Sequence, residues 1–190
     1  MPGPVYLSGE RVELRVTERE DVELVQRARS DPAIRTALTQ TAPQTREQVD
    51  EFYDEYVSVD NGDADFVVCV RSDDESANDD ASEDPDPIGE VSLFRTEHDH
   101  GEISYWLLPE ARGEGYATEA VSLLLDYAFD TSGRHRVYAR VVDFNGASRA
   151  LVERLGFAEE GRLREHVFLE GAYRDVVLYG LLRDEWDGAP

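Results

Sequence analysis

The segment LLPEARGEGYATEAVSLLLDYAFD, Leu107–Asp130, constrains this fold more than any other. An apolar strand end runs into a turn holding Gly113 and Gly115, and small residues then open a long amphipathic helix. The first N–H groups of a helix have no intrahelical acceptor, and the helix dipole adds positive potential at that end. Glycines let a ligand approach the backbone closely. A strand, a glycine turn and a helix start therefore make a phosphate or pyrophosphate site that needs no lysine.

That economy matters because the chain contains no Lys: all 19 basic residues are Arg, against 42 Asp and Glu, a formal net charge of −23. Such a balance excludes nucleic acid as an expected partner, since phosphate backbones are bound through cationic side chains. It also speaks against an anionic membrane surface. The Lys-free, acid-rich composition resembles that of proteins from salt-accumulating cytoplasms, notably haloarchaea. At molar salt the Debye length is about 3 Å, so net charge would repel an anionic ligand little. The single cysteine, Cys69, allows no internal disulfide and reads as a small core residue. No signal peptide or apolar run of spanning length is visible, so a cytoplasmic location is expected.

The length of 190 residues fits one domain over 1–190, with its core over about 5–186. ERVELRV, Glu10–Val16, alternates as a strand. Thr17 and Glu20 have capping-box spacing and predict a helix to Ser30, broken at Asp31-Pro32. Thr45 and Gln48 repeat the device, and Val49, Phe52, Tyr53 and Tyr56 share a face of the helix that follows. ADFVVCVRS, IGEVSLFRT and GEISYWLL read as strands. The acidic stretch at 72–87 reads as a solvated loop insertion. After the glycine-turn helix, which ends near Gly133, HRVYARVVDF is a strand. NGASRALVERLGF is a helix capped by Asn145 and ended by Gly156. Two or three strands close the chain around a turn at Glu170-Gly171. The pattern is α/β (α+β), with helices flanking a mixed, mostly antiparallel sheet.

Two common phosphate loops do not fit. A P-loop requires a Lys. A dinucleotide fingerprint requires a third glycine, where this chain has Ala117-Thr118. The run Arg112-Gly113-Glu114-Gly115-Tyr116-Ala117 instead resembles the [Q/R]-x-x-G-x-[G/A] core of the GNAT superfamily of N-acetyltransferases. DFNGASRALVERLGFAEEG resembles that family's N-x-x-S block, followed by a helix and L-G-F-x-x-x-G. EGAYRDVVLYGLLRDEW resembles the ending of the RimJ/RimL-like branch, the ribosomal-protein N-terminal acetyltransferases. The resemblance extends over about Val5–Trp186 and is densest from Glu102 onward.

This resemblance implies acetyl-CoA as co-substrate, in a V-shaped gap between the parallel strands ISYWLL and RVYARVV. The pantetheine arm would pair with backbone near Leu107 and Leu108, as an added strand. The pyrophosphate would sit on the amides of Gly113, Glu114, Gly115, Tyr116, Ala117 and Thr118, with Asn145 and Ser148 facing the thioester end. Arg112 and Arg149 are read either as phosphate contacts or as solvated surface. An amide near Leu107 or Leu108 would hold the tetrahedral oxyanion. Ser148 is the candidate acid, or else a serine stabilising its own turn. Glu165 is the candidate base, with Glu102 as runner-up and His166 beside Glu165 expected to point the other way. Tyr173 and Asp175 would shape either the acceptor pocket or the closing hairpin. His98 and His100 lack a ligand set, so no metal is expected. The implied acceptor is a primary amine, foremost a protein N-terminal α-amine. The alternatives are a small-molecule amine and a non-catalytic acyl-CoA-binding module. The expected assembly is a monomer or homodimer.

Overall fold

The computed structural model describes residues 2–58, 61–71, 86–96 and 98–189. The acidic stretch of the sequence analysis falls at 72–85 outside the described residues, and Pro87 already belongs to a strand.

Strand β1 (Val5–Ser8) precedes β2 (Val12–Val16). Helices α1 (Val22–Ser30), α2 (Pro32–Arg35) and α3 (Arg46–Phe52) follow. Strands β3 (Ala64–Val70), β4 (Pro87–Phe94) and β5 (His100–Leu107) lead into α4 (Tyr116–Asp126). Strand β6 (Arg136–Val142), α5 (Gly146–Arg154), β7 (Ala158–Leu169) and β8 (Ala172–Leu182) complete the fold. The strands form one sheet in the order β1-β2-β3-β4-β5-β6-β8-β7. Every neighbouring pair is antiparallel except β5 and β6, which are parallel.

Local signals set most boundaries. The Thr45/Gln48 capping box is formed, and Asn145 Oδ1 accepts from Ser148 N–H to cap α5. Gly156, with φ of 88°, stops α5, and Gly133, with φ of 67°, follows the π-helical turn Tyr127–Thr131 that extends α4. Two expectations shift. The first capping box lies one residue later, where Glu18 and Asp21 open a 3-10 turn before α1. Thr17 remains tied to the sheet, its N–H donating to Asp65 O. Asp31-Pro32 ends α1 but also starts α2, because Asp31 caps the N–H of Ala33 and Pro32 occupies the first turn.

The core divides across the sheet. One face packs Val68, Val91, Ile103, Val137 and Ala139 under α4 and α5 with Leu124, Leu125 and Val152. The other face sets Val67, Cys69 and Trp106 against Leu24, Ala28 and Ile34 of α1 and α2. Cys69 is fully buried, as its core reading requires.

Candidate active site

The parallel pairing of β5 and β6 is brief: His100 faces Arg136, Gly101 faces Val137 and Glu102 faces Tyr138. Both strands continue beyond this point, β5 to Leu107 and β6 to Val142, without pairing to one another. The sheet therefore opens into a wedge with Glu102 at its apex. β5 stays paired to β4 out to Leu107 opposite Gly89, so its other edge faces the wedge. A cavity of about 530 Å³ fills this opening. Its walls come from β5, β6, α5, the start of α4, α2 and a bulge in β7.

The two backbone donors proposed near Leu107 and Leu108 differ. Leu108 N–H is committed to Ile88 O at 2.8 Å and points into the sheet. Leu107 lies on the alternate edge, where its carbonyl accepts from Arg112 Nε at 3.1 Å. In an antiparallel pair both backbone groups of a residue point to the same side, so the Leu107 amide faces the wedge.

The glycine turn completes this end of the cavity. Gly113 and Gly115 have φ of 90° and 86°, and Gly115 occupies the N-cap position of α4. Thr118 N–H bonds to Gly115 O at 3.0 Å. This withdraws Thr118 from the expected set of donors, although the residue still lines the cavity. Among the described residues, the N–H groups of Gly113, Glu114, Gly115, Tyr116 and Ala117 have no acceptor. They form a row of donors at a helix start, which suits a pyrophosphate.

Sequence reading missed the residue that braces this loop. Arg11, just before β2, donates from Nη1 to the Glu114 carbonyl at 2.7 Å and from Nε to Glu119 Oε2 at 3.1 Å. Glu119 Oε1 accepts in return from the Arg11 and Val12 amides. A partner more than a hundred residues away leaves no local signal. Arg112 and Arg154 lie on the cavity wall, whereas Arg149 is turned to the Tyr179 hydroxyl at 3.0 Å.

At the end of the cavity expected to receive the thioester, Asn145 and Ser148 both form part of the lining, as does Tyr105 of β5. Ser148 Oγ lies 2.6 Å from the Tyr105 hydroxyl. Burial pushes that phenol up to about 12. Glu102 is buried, and both carboxylate oxygens are engaged, by Arg140 Nε at 2.8 Å and Arg95 Nη1 at 2.5 Å.

Glu165 occupies a bulge in β7, where the register shifts between Leu163 and Val167 and φ reaches 50°. Its N–H donates to Asp175 Oδ1 at 2.8 Å, which, with Arg162, holds the Asp175 carboxyl below its ordinary range. The Glu165 side chain is exposed, and His166 is the bulge residue on the cavity wall. Simple alternation predicted the reverse, but a bulge resets which residues face inward. Tyr173 is exposed and stacks edge-on with Phe168 at the hairpin tip. Among the described residues no cluster of His, Cys, Asp and Glu is placed to hold a metal, and no helix is long and apolar enough to cross a membrane.

The wedge, the glycine loop and the capped α5 meet in one cavity, and the sequence matches the acetyltransferase (GNAT) domain family over residues 11–158. The chain belongs to the GNAT family. It is an acetyl-CoA-dependent N-acetyltransferase. A spermidine N(1)-acetyltransferase of Vibrio cholerae serotype O1 is 27% identical over 175 residues, covering 91% of this chain and 94% of that one. The crystal structure of spermidine N-acetyltransferase from Vibrio cholerae in complex with CoA and spermine superposes with a TM-score of 0.81 at 26% identity, covering 93% and 98%. A candidate ribosomal N-acetyltransferase of Bacillus subtilis (strain 168), YdaF, is 41% identical over 87 residues. That match covers 46% of this chain and 48% of YdaF, so the chain spans about half the length of that relative.

Proposed function

We propose that this GNAT enzyme acetylates a primary amine carried on an apolar or peptide body, of which a protein N-terminal α-amine is the leading example. The observation that carries this reading is the wall facing the wedge. It is built from Ala33, Ile34, Ala37, Leu38, Phe94 and Trp106. Among the described lining residues Glu102 is the one carboxylate, and two guanidinium groups already engage it. A polycation gains affinity from several free carboxylates along its length, and this wall offers apolar contact instead.

In this reading acetyl-CoA lies along β5, with its pyrophosphate on the amides of Gly113–Ala117. The Leu107 amide holds the oxyanion of the tetrahedral intermediate. Ser148 donates to the departing sulfur. Glu165, exposed one residue from the lining His166, passes the ammonium proton to solvent, and His166 is the competing base. The RimJ/RimL-like ending of the chain supports an N-terminal acceptor, as does the ribosomal name of YdaF. A haloarchaeal type of composition calls for assays at molar salt.

A second reading, acetylation of a polyamine, is favoured by the end-to-end similarity to spermidine acetyltransferases. Both readings are tested by following free thiol with acetyl-CoA, a peptide panel and a polyamine panel. Turnover with peptides that begin with an apolar residue is expected. Turnover with spermidine alone would replace the first reading with the second. Tight CoA binding without turnover on any amine would leave an acyl-CoA-binding module.

A further inference from the structure

We infer that Tyr105 is a positioning residue that fixes the proton of Ser148 toward the thioester sulfur. The inference rests on the reading of Ser148 as the acid and extends it to a residue on the opposite wall of the wedge.

Tyr105 rises from β5, and Ser148 lies in the first turn of α5, beyond β6. Their hydroxyls meet across the cavity at 2.6 Å, a short O–H···O contact. A serine hydroxyl carries one proton and can accept as well as donate. Two arrangements are possible. If Ser148 donates to the phenol, its proton is consumed within the pair. If the phenol donates to Ser148 Oγ, the serine proton is left over and faces the cavity.

The surroundings favour the second arrangement. Burial keeps the phenol protonated across the working range, so Tyr105 always has a proton to give. Its other acceptor is the Ser148 carbonyl at 3.2 Å, a longer contact to an oxygen that also serves the α5 ladder. The Ser148 backbone N–H is tied to Asn145 Oδ1 at 3.1 Å, which fixes the first turn and with it the Oγ position. Tyr105 and Asn145 thus hold Ser148 from two sides.

The carbon–sulfur bond of the tetrahedral intermediate breaks, and its electron pair goes to sulfur. The Ser148 proton passes to sulfur, giving the CoA thiol. The proton shed by the acetylated nitrogen reaches the serine oxygen through solvent at the cavity mouth. Tyr105 keeps its own proton throughout and acts only by direction.

A double-mutant cycle tests this with whichever amine the panel identifies. Ser148→Ala is expected to lower kcat about a hundredfold, as loss of a general acid does. Tyr105→Phe is expected to lower kcat about tenfold, the scale of one lost hydrogen bond, with acetyl-CoA affinity by calorimetry within about twofold of wild type. In the Ser148→Ala background, Tyr105→Phe should cost nothing further. Additive losses in the double variant would overturn the inference. So would a kcat at or above wild type in Tyr105→Phe, because the phenol would then consume the serine proton. A fall in acetyl-CoA affinity as large as the fall in kcat would reduce Tyr105 to packing. Wild-type kcat in Ser148→Ala would remove the acid reading, and this inference with it.

Discussion

Gly115 shows how much of the site depends on one backbone conformation. Its φ of 86° is a left-handed value that side chains resist, and an added Cβ would lie 3.1 Å from Arg11 Nη2. Gly115→Ala both strains the turn and pushes on the brace. CoA affinity measured by calorimetry is expected to fall at least tenfold, and the strained turn to lower the melting temperature by a few degrees. Arg11 acts on the same loop from outside, through the Glu114 carbonyl and Glu119. Arg11→Ala should raise KM for acetyl-CoA several-fold while leaving KM for acetyl-pantetheine unchanged, since that donor lacks the pyrophosphate. An equal rise for both donors would show that Arg11 supports the fold rather than the loop.

At the scale of elements, strand register decides which groups meet. The pairing of β3 with β4 sets Asp65 opposite Ser92, and Glu90 lies two residues from Ser92 on the same face. Glu90 also lies opposite Trp106 of β5, whose other contacts are to the apolar cluster under α1 and α2. Burial, and then the charge of Asp65, push the Glu90 carboxyl up to about 7. Burial likewise raises Asp65 to about 6, with Asp63 adding to it. Raised carboxyls bind more protons in the folded state than in the unfolded one. Their contribution to stability is complete below their ordinary values of 3.8 and 4.5 and is lost as pH rises through about 6 to 7. Glu90→Gln removes this half-buried charge, so its melting temperature should gain on that of wild type between pH 4.5 and pH 8 at fixed salt. A constant offset across that range would contradict this account. The β7 bulge is a second effect of register. It leaves Glu165 exposed, outside the cavity lining, and sets His166 on the wall, so Glu165→Gln and His166→Asn separate the two candidate bases. The account expects the larger loss of kcat, about a hundredfold, from Glu165→Gln.

For the molecule as a whole, features fixed by neighbours in sequence were legible and features fixed by distant partners were not. The glycine loop, the Asn145 cap, the Thr45/Gln48 box and the closing hairpin each depend on residues a few positions apart. They were readable from residue type and spacing. The four-residue β1 is too short to show a period. The brace from Arg11, the Tyr105–Ser148 contact and the two arginines on Glu102 join elements that meet only once the sheet is assembled. The bulge at Glu165 required a φ of 50° at a residue that gives no hint of it. The charge of −23 fits the same picture, because the loop offers amides where other sites place lysines. We propose that CoA occupies the wedge beyond Glu102 with its pyrophosphate on this loop. Amide hydrogen exchange, with and without CoA at molar salt, tests it most directly. The account predicts slowed exchange at Gly113–Ala117 and at Leu107, with little change along β1 and β2. Exchange at the loop unaltered by saturating CoA would contradict it.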